Sequence, residues 1–137
     1  MIVIDSSILI AWKLQSDVFH VPASEAMQRF TAGTWGKGLL LEHVFVETIS
    51  VIKRKLNPVA AIQAGGILRR SHQLEFVPAS ENFLGYWNEF QSDYLSPLSF
   101  VDHAIAVTAR ERAGGKVLTF DRALRGLPGI IALPEMK

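Results

Sequence analysis

The sequence predicts an α/β sandwich: a short parallel sheet of about four or five strands, covered by helices on both faces. Two features predict the class. Short apolar runs recur along the chain, at Ile2 to Ile4, Leu39 to Leu41, Leu74 to Val77, Lys116 to Thr119 and Ile130 to Ala132. Stretches with helical spacing separate them, so strand and helix alternate. A third feature sets the domain count. A chain of 137 residues, 49% of them hydrophobic, suits one core and is too apolar to stay disordered, so 1–137 reads as a single domain.

Each element follows from local chemistry. Ile2-Val3-Ile4 is a buried strand that leads straight into an acid and two serines, where a helix or turn opens. Asp17 to Pro22 is a polar interruption before a helix from Ala23 to Thr31. Glycines 33, 36 and 38 mark the loop ahead of the second strand. From Glu42 to Leu56, the residues Phe45, Ile49, Ile52 and Leu56 keep helical spacing. Asn57-Pro58 ends that helix and starts another, because proline is tolerated in a first turn. This second helix is expected to run to about His72, although Gly65-Gly66 lies inside it. After the strand at Leu74 come Pro78 and a helix over roughly Ser80 to Phe90. Ser99 to Ala113 is the next helix, stopped by Gly114-Gly115. A strand from Lys116, a short helix from Asp121 to near Gly126 and a last strand at Ile130 complete the chain.

The chain has no cysteine, which excludes a disulfide framework, a thiolate zinc site and a cysteine nucleophile. The opening apolar stretch has no basic leader and is broken by Asp5, and no run of about eighteen apolar residues occurs elsewhere. The expected location is therefore cytoplasmic, with no membrane span. The net charge is only +1, but its distribution is uneven. Lys53 to Lys55, Arg69-Arg70, Arg110 with Arg112, and Lys116, Arg122 and Arg125 are basic clusters, while Ser71 to Ala109 holds acids and no Lys or Arg. Such segregation permits a polyanion-binding face, and equally describes solvated helix surfaces.

Four acids carry the candidate chemistry, and each has a plain structural reading beside the functional one. Asp5 and Asp121 stand where helix caps stand, Ser99 with Asp102 has the form of a capping box, and Glu47 fits an exposed helix face. The fold class changes their weight. Asp5 lies at the carboxyl end of its strand. The helix after Asp102 carries the chain about 16 Å away at ~1.5 Å per residue. The strand from Lys116 returns a similar distance at ~3.3 Å per residue. Asp102 and Asp121 are thus expected at the same edge as Asp5, with Glu47 close by in the second turn of its helix. Ligands of open α/β sheets bind at that edge.

Carboxylates converging there repel one another unless a cation is bound. Oxygen-only donors point to Mg²⁺ or Mn²⁺, which would activate water and stabilise charge on a phosphate. A zinc reading through His43, Glu47 and His103 lacks the HExxH spacing and the usual nitrogen and sulfur ligands. His20 and His72 read as surface or packing residues.

These residues resemble the PIN-domain nucleases, and among them the small toxins of VapC type. "IVIDSSIL" resembles the family's opening strand and acid, "FVETISVIKRKL" its helical Glu, "LSFVDHAIAVTA" its third motif and "GGKVLTFDRALRG" its fourth. The likeness covers nearly the whole chain and implies a PIN-like three-layer sandwich performing metal-dependent hydrolysis of RNA. It implies that Asp5, Asp102 and Asp121 hold Mg²⁺ or Mn²⁺, and that Glu47 acts through a metal-bound water or helps activate the nucleophile. Ser6 or Ser7 would steady Asp5, and Thr119 precedes the fourth acid by two residues. Glu42 leaves the second motif's alignment slightly open, and His103 stands where the family has a small residue.

Further expectations follow from the likeness. They are a homodimer, an RNA substrate and an antitoxin whose C-terminal segment fills a groove beside the site, with Trp12, Phe19, Phe30 and Trp35 as candidate lining. Single-stranded or looped RNA, with its exposed bases, is the expected target. The alternatives are a metal-dependent phosphohydrolase acting on something else, although a DxD opening is absent, and an inert PIN-like binding module.

Overall fold

The computed structural model describes residues 1–136. Five strands form one parallel sheet in the order β3-β2-β1-β4-β5: β1 Ile2–Ile4, β2 Gly38–Leu41, β3 Leu74–Val77, β4 Lys116–Leu118 and β5 Ile131–Leu133. The middle strand β1 is completely buried, which is why Ile2-Val3-Ile4 shows no polar alternation. The edge strands β3 and β5 carry Glu75 and Ile131 and are partly exposed.

The helices are α1 Ser6–Lys13, α2 His20–Thr31, α3 Glu42–Lys55, α4 Pro58–Arg70, α5 Phe83–Ser92, α6 Phe100–Arg112 and α7 Arg122–Arg125. Helices α1 to α4 pack on one another, while α5 packs on α6, and α6 lies on β1 and β4. Right-handed crossovers explain the two layers. From β1 the chain steps one way to β2 and β3, then crosses back to β4 and continues to β5. The connections therefore cover opposite faces, and the order reverses between β1 and β4. That reversal is a topological switch point.

Helix α6 is buried from His103 through Ala109, so it shows little amphipathic pattern. Its polar Thr108 is satisfied inside the core by the Ala104 carbonyl at 2.8 Å and by the Tyr86 hydroxyl at 3.1 Å. Gly65 is tolerated within α4 because a Cβ there would stand 3.3 Å from Ile49 Cδ1, so its absence lets α3 and α4 approach. Gly115 has φ +85°, and a Cβ would lie 2.1 Å from the Gly129 carbonyl oxygen, so only glycine fits the turn into β4.

Two helix boundaries differ from expectation. Helix α2 begins at His20 rather than Ala23, since Pro22 sits in its first turn, where the missing N–H has no intrahelical partner to lose. Helix α5 begins at Phe83 rather than Ser80, because Glu81 N closes a turn onto the Pro78 carbonyl and the Asn82 amide reaches across to Glu111.

The basic clusters also resolve differently from one another. Arg110 pairs with Glu89 at 2.9 Å, and Arg112 pairs with Glu75 and Glu81. The acidic segment packs alongside α6 and engages these two cations, so they do not form a free anion-binding face. Lys53, Arg54 and Lys55, Arg69 and Arg70, and Arg122 are exposed. No helix is long and apolar enough to cross a membrane among the described residues.

Candidate active site

The switch point is built from the ends of β1 and β4. Ile4 pairs with Leu118, so Asp5 and Thr119 leave the sheet at the same level, and Asp5 N donates to the Leu118 carbonyl at 3.0 Å. Asp5 occupies the cap position of α1 with extended backbone, yet its side chain makes no cap hydrogen bond. Instead Asp5 Oδ2 accepts from Ser7 Oγ at 2.7 Å and from Thr119 Oγ1 at 2.8 Å. Ser7 Oγ in turn accepts from Phe120 N at 3.0 Å, and Thr119 Oγ1 from Asp121 N at 2.9 Å. Each hydroxyl has one proton, so both protons are committed to Asp5 and both oxygens receive backbone amides from the segment after β4. Ser6 is buried but makes no side-chain hydrogen bond to Asp5, so Ser7 and Thr119 are the residues that orient it.

The other two aspartates are caps. Ser99 Oγ accepts from Asp102 N at 3.1 Å while Asp102 Oδ2 accepts from Ser99 N at 2.9 Å, a complete capping box. Asp121 Oδ1 accepts from Ala123 N at 2.9 Å at the start of α7. Each cap uses one carboxylate oxygen. Among the described residues Asp5 Oδ1, Asp102 Oδ1 and Asp121 Oδ2 accept no hydrogen bond, and none of the three acids has an ion-pair partner. Capping and ligation are therefore compatible uses of the same side chain.

Asp5 lies within reach of the charges of the other two aspartates. Burial pushes the Asp5 carboxyl above its ordinary value, the bonds from Ser7 and Thr119 pull it back, and the charges of Asp102 and Asp121 push it up again. A carboxylate only 5% exposed and acted on by two like charges is one that a nearby cation would stabilise. Among the described residues no group of three or more histidine or acidic side chains is gathered closely enough to hold a metal ion.

Glu47 stands in the second turn of α3, exposed. It lies one turn beyond His43 on the same helix face. The His43 ring meets Phe100, the first residue of α6, at 6.1 Å, so this face of α3 turns toward the end of α6 that carries Asp102. Glu42 is otherwise engaged, accepting from Ala79 N at 3.2 Å. His103 is buried against α5, edge-on to Phe90 at 5.9 Å, with Nε2 3.4 Å from Asp93 Oδ2 and no aligned hydrogen bond. It packs between the two helices.

Of the four aromatics expected in one groove, Trp12 and Phe30 line a hollow of about 670 Å³ with Met27, Ile67, Leu68 and Leu74. Phe19 stacks instead on Phe120 at 4.7 Å, and Trp35 lies under Arg29. Sequence reasoning missed the Phe19–Phe120 stack, because no local pattern links residues so far apart.

The sheet order and the two helical layers, with Asp5 and Asp121 just beyond the ends of β1 and β4, define a small α/β sandwich. The chain belongs to the PIN domain family, whose model matches residues 2–130, a span that includes Asp5, Glu47, Asp102 and Asp121. Mycobacterium tuberculosis VapC20, a Sarcin-Ricin loop cleaving toxin, has a similar fold, with a TM-score of 0.80 and 20% sequence identity over 95% of this chain and 97% of that one. No curated protein matches the chain in sequence.

Replacing Thr119 by Val tests the hydroxyl network, since the shape is kept while one donor to Asp5 and the acceptor of Asp121 N are lost. The expected stability loss is about 1–3 kcal/mol for leaving a buried polar group unpaired. Weaker cation binding, by about tenfold, should accompany it. Urea unfolding and a Mn²⁺ titration measure the two effects.

Proposed function

We propose that this chain is a divalent-cation-dependent endoribonuclease and the toxin of a toxin–antitoxin pair. What supports the reading is a PIN domain with Asp5 and Asp121 near the ends of β1 and β4 and with Asp102 near enough to act on Asp5 through its charge, each acid having an oxygen to spare. The fold shared with a mycobacterial toxin that cleaves the Sarcin-Ricin loop supports the substrate class and the toxin role.

In this reading the free oxygens of Asp5, Asp102 and Asp121 hold Mg²⁺ or Mn²⁺. When bound, such an ion neutralises charge on a phosphodiester and lowers the pKa of coordinated water. The protein does the rest. Ser7 and Thr119 orient Asp5 and offset part of the effect of its burial, and the two helix caps fix Asp102 and Asp121. Glu47, exposed in the second turn of α3, would accept the proton of the attacking water. Arg122, the exposed residue next to Asp121 in the fourth motif, receives the RNA backbone. The hollow beside Trp12 and Phe30 suits an apolar segment of an antitoxin. The exposed Leu84 and Trp87 of α5 offer a surface for a second copy.

The test is incubation of purified, partner-free protein with mixed RNA in Mg²⁺, Mn²⁺ or EDTA. Internal cleavage is expected with either ion and none with chelator. Cleavage that persists in EDTA removes the cation from the mechanism. No cleavage with any ion returns the chain to the inert binding module.

A further inference from the structure

We propose that Arg125 is a positioning residue for the acid site, holding Thr119 where its hydroxyl serves both Asp5 and Asp121. The functional consequence rests on the nuclease reading, whereas the bracing itself rests on geometry alone. Thr119 is the joint between the two acids: Oγ1 donates to Asp5 Oδ2 and accepts from Asp121 N. A threonine hydroxyl has few rotamers, so it reaches both partners only while its own backbone stays put.

Both peptide groups of Thr119 are pinned. Its N–H donates to the Leu133 carbonyl at 2.8 Å. Its carbonyl accepts from Arg125 Nη2 at 2.6 Å, and the same nitrogen donates to the Pro134 carbonyl at 2.9 Å. Paired residues of β4 and β5 end at Leu118 and Leu133, so the guanidinium joins the two chains just beyond the last pair. Helix α7 then carries Asp121 at its start and Arg125 in its last position, linking acid and brace within one turn.

The environment of Arg125 fits a brace better than an RNA contact. Its Nε is buried without a partner, a cost that a solvent-facing cation would not bear. Its sequence neighbour Arg122 is exposed and has no such bonds to the main chain. The fourth motif thus contains one arginine turned outward and one turned inward.

The experiment compares Arg125→Gln and Arg125→Lys with wild type by amide hydrogen exchange, Mn²⁺ titration calorimetry, and kcat and KM for RNA. Arg125→Gln is expected to speed exchange at Phe120 and Asp121, whose amides bond to Ser7 and Thr119. It should also weaken Mn²⁺ binding by about tenfold and lower kcat with KM unchanged. Arg125→Lys, which keeps a donor, should recover part of each loss. Unchanged exchange at the two amides overturns the assignment, and a rise in KM alone makes Arg125 an RNA contact instead. Exchange across α6 reports whether the fold is intact, and if Arg125→Gln unfolds there, Arg125→Lys decides. A wild-type protein that neither binds Mn²⁺ nor cuts RNA would remove the nuclease reading, while the two amides would still decide the brace.

Discussion

Asp102→Asn is expected to lower RNA cleavage by roughly a thousandfold while leaving the fold intact. Asparagine at this position can still accept from Ser99 N, and its own N–H still reaches Ser99 Oγ, so the capping box survives. What disappears is the negative charge shared with the oxygen that the cap leaves free. A bound cation contributes several kcal/mol of charge stabilisation, and each 1.36 kcal/mol is a factor of ten in rate, so losing a ligand costs about three decades. Asp102→Ala should lose the same activity and about 1 kcal/mol of stability in addition, because the cap goes too. Cleavage assays and thermal melts on the pair separate the roles. Normal cleavage by Asp102→Asn would reduce Asp102 to a cap.

The second large effect is expected at Asp5, where activity and stability should move in opposite directions. Asp5→Asn should also abolish cleavage, yet the metal-free variant should melt above wild type at neutral pH. The sign follows from linkage. Burial and the neighbouring charges raise the carboxyl of the folded protein above its ordinary value of 3.8. The folded state therefore holds the proton more tightly than the unfolded chain, and stability falls as pH rises through the raised value. Above the raised value the full penalty is present. An uncharged amide removes it and still accepts the bonds from Ser7 and Thr119.

Each 1 kcal/mol regained moves Tm by roughly 3–5 °C in a domain of this size. The gap should close as pH drops toward the ordinary carboxylate range, where wild-type Asp5 is protonated. Mn²⁺ should raise the Tm of wild type by mass action and leave Asp5→Asn unchanged. A metal-free Asp5→Asn that melts below wild type at neutral pH would contradict this electrostatic account.

Much of the architecture was legible because its causes are local. Asn57, Ser99 and Asp121 each accept a main-chain N–H two or three residues ahead, so their helices start where the side chains allow. Gly114-Gly115 ends α6 for the same kind of reason, as both adopt positive φ. The start of α5 was harder to place, because the Asn82 side chain turns to Glu111, whose nearness depends on how α5 meets α6. Charge behaved likewise. Arg110 and Arg112 form a basic pair in sequence and belong to ion pairs in space, since their acidic partners come from β3 and from the segment that follows it before α6.

The sequence by itself determined the parallel α/β class, the level at which Asp5, Asp102 and Asp121 leave their elements, and the caps that hold two of them. These follow from residue periodicity and from hydrogen bonds that span a few residues. Only the tertiary structure decided that Asp5 is not a cap, that Ser7 rather than Ser6 orients it, that Thr119 bridges two acids, and that Arg125 turns inward. Each of those facts depends on a partner more than a hundred residues away or on the meeting of β4 with β5. Local propensity carries no information about which side chain will stand across a crevice, because that is settled by the order in which strands pair.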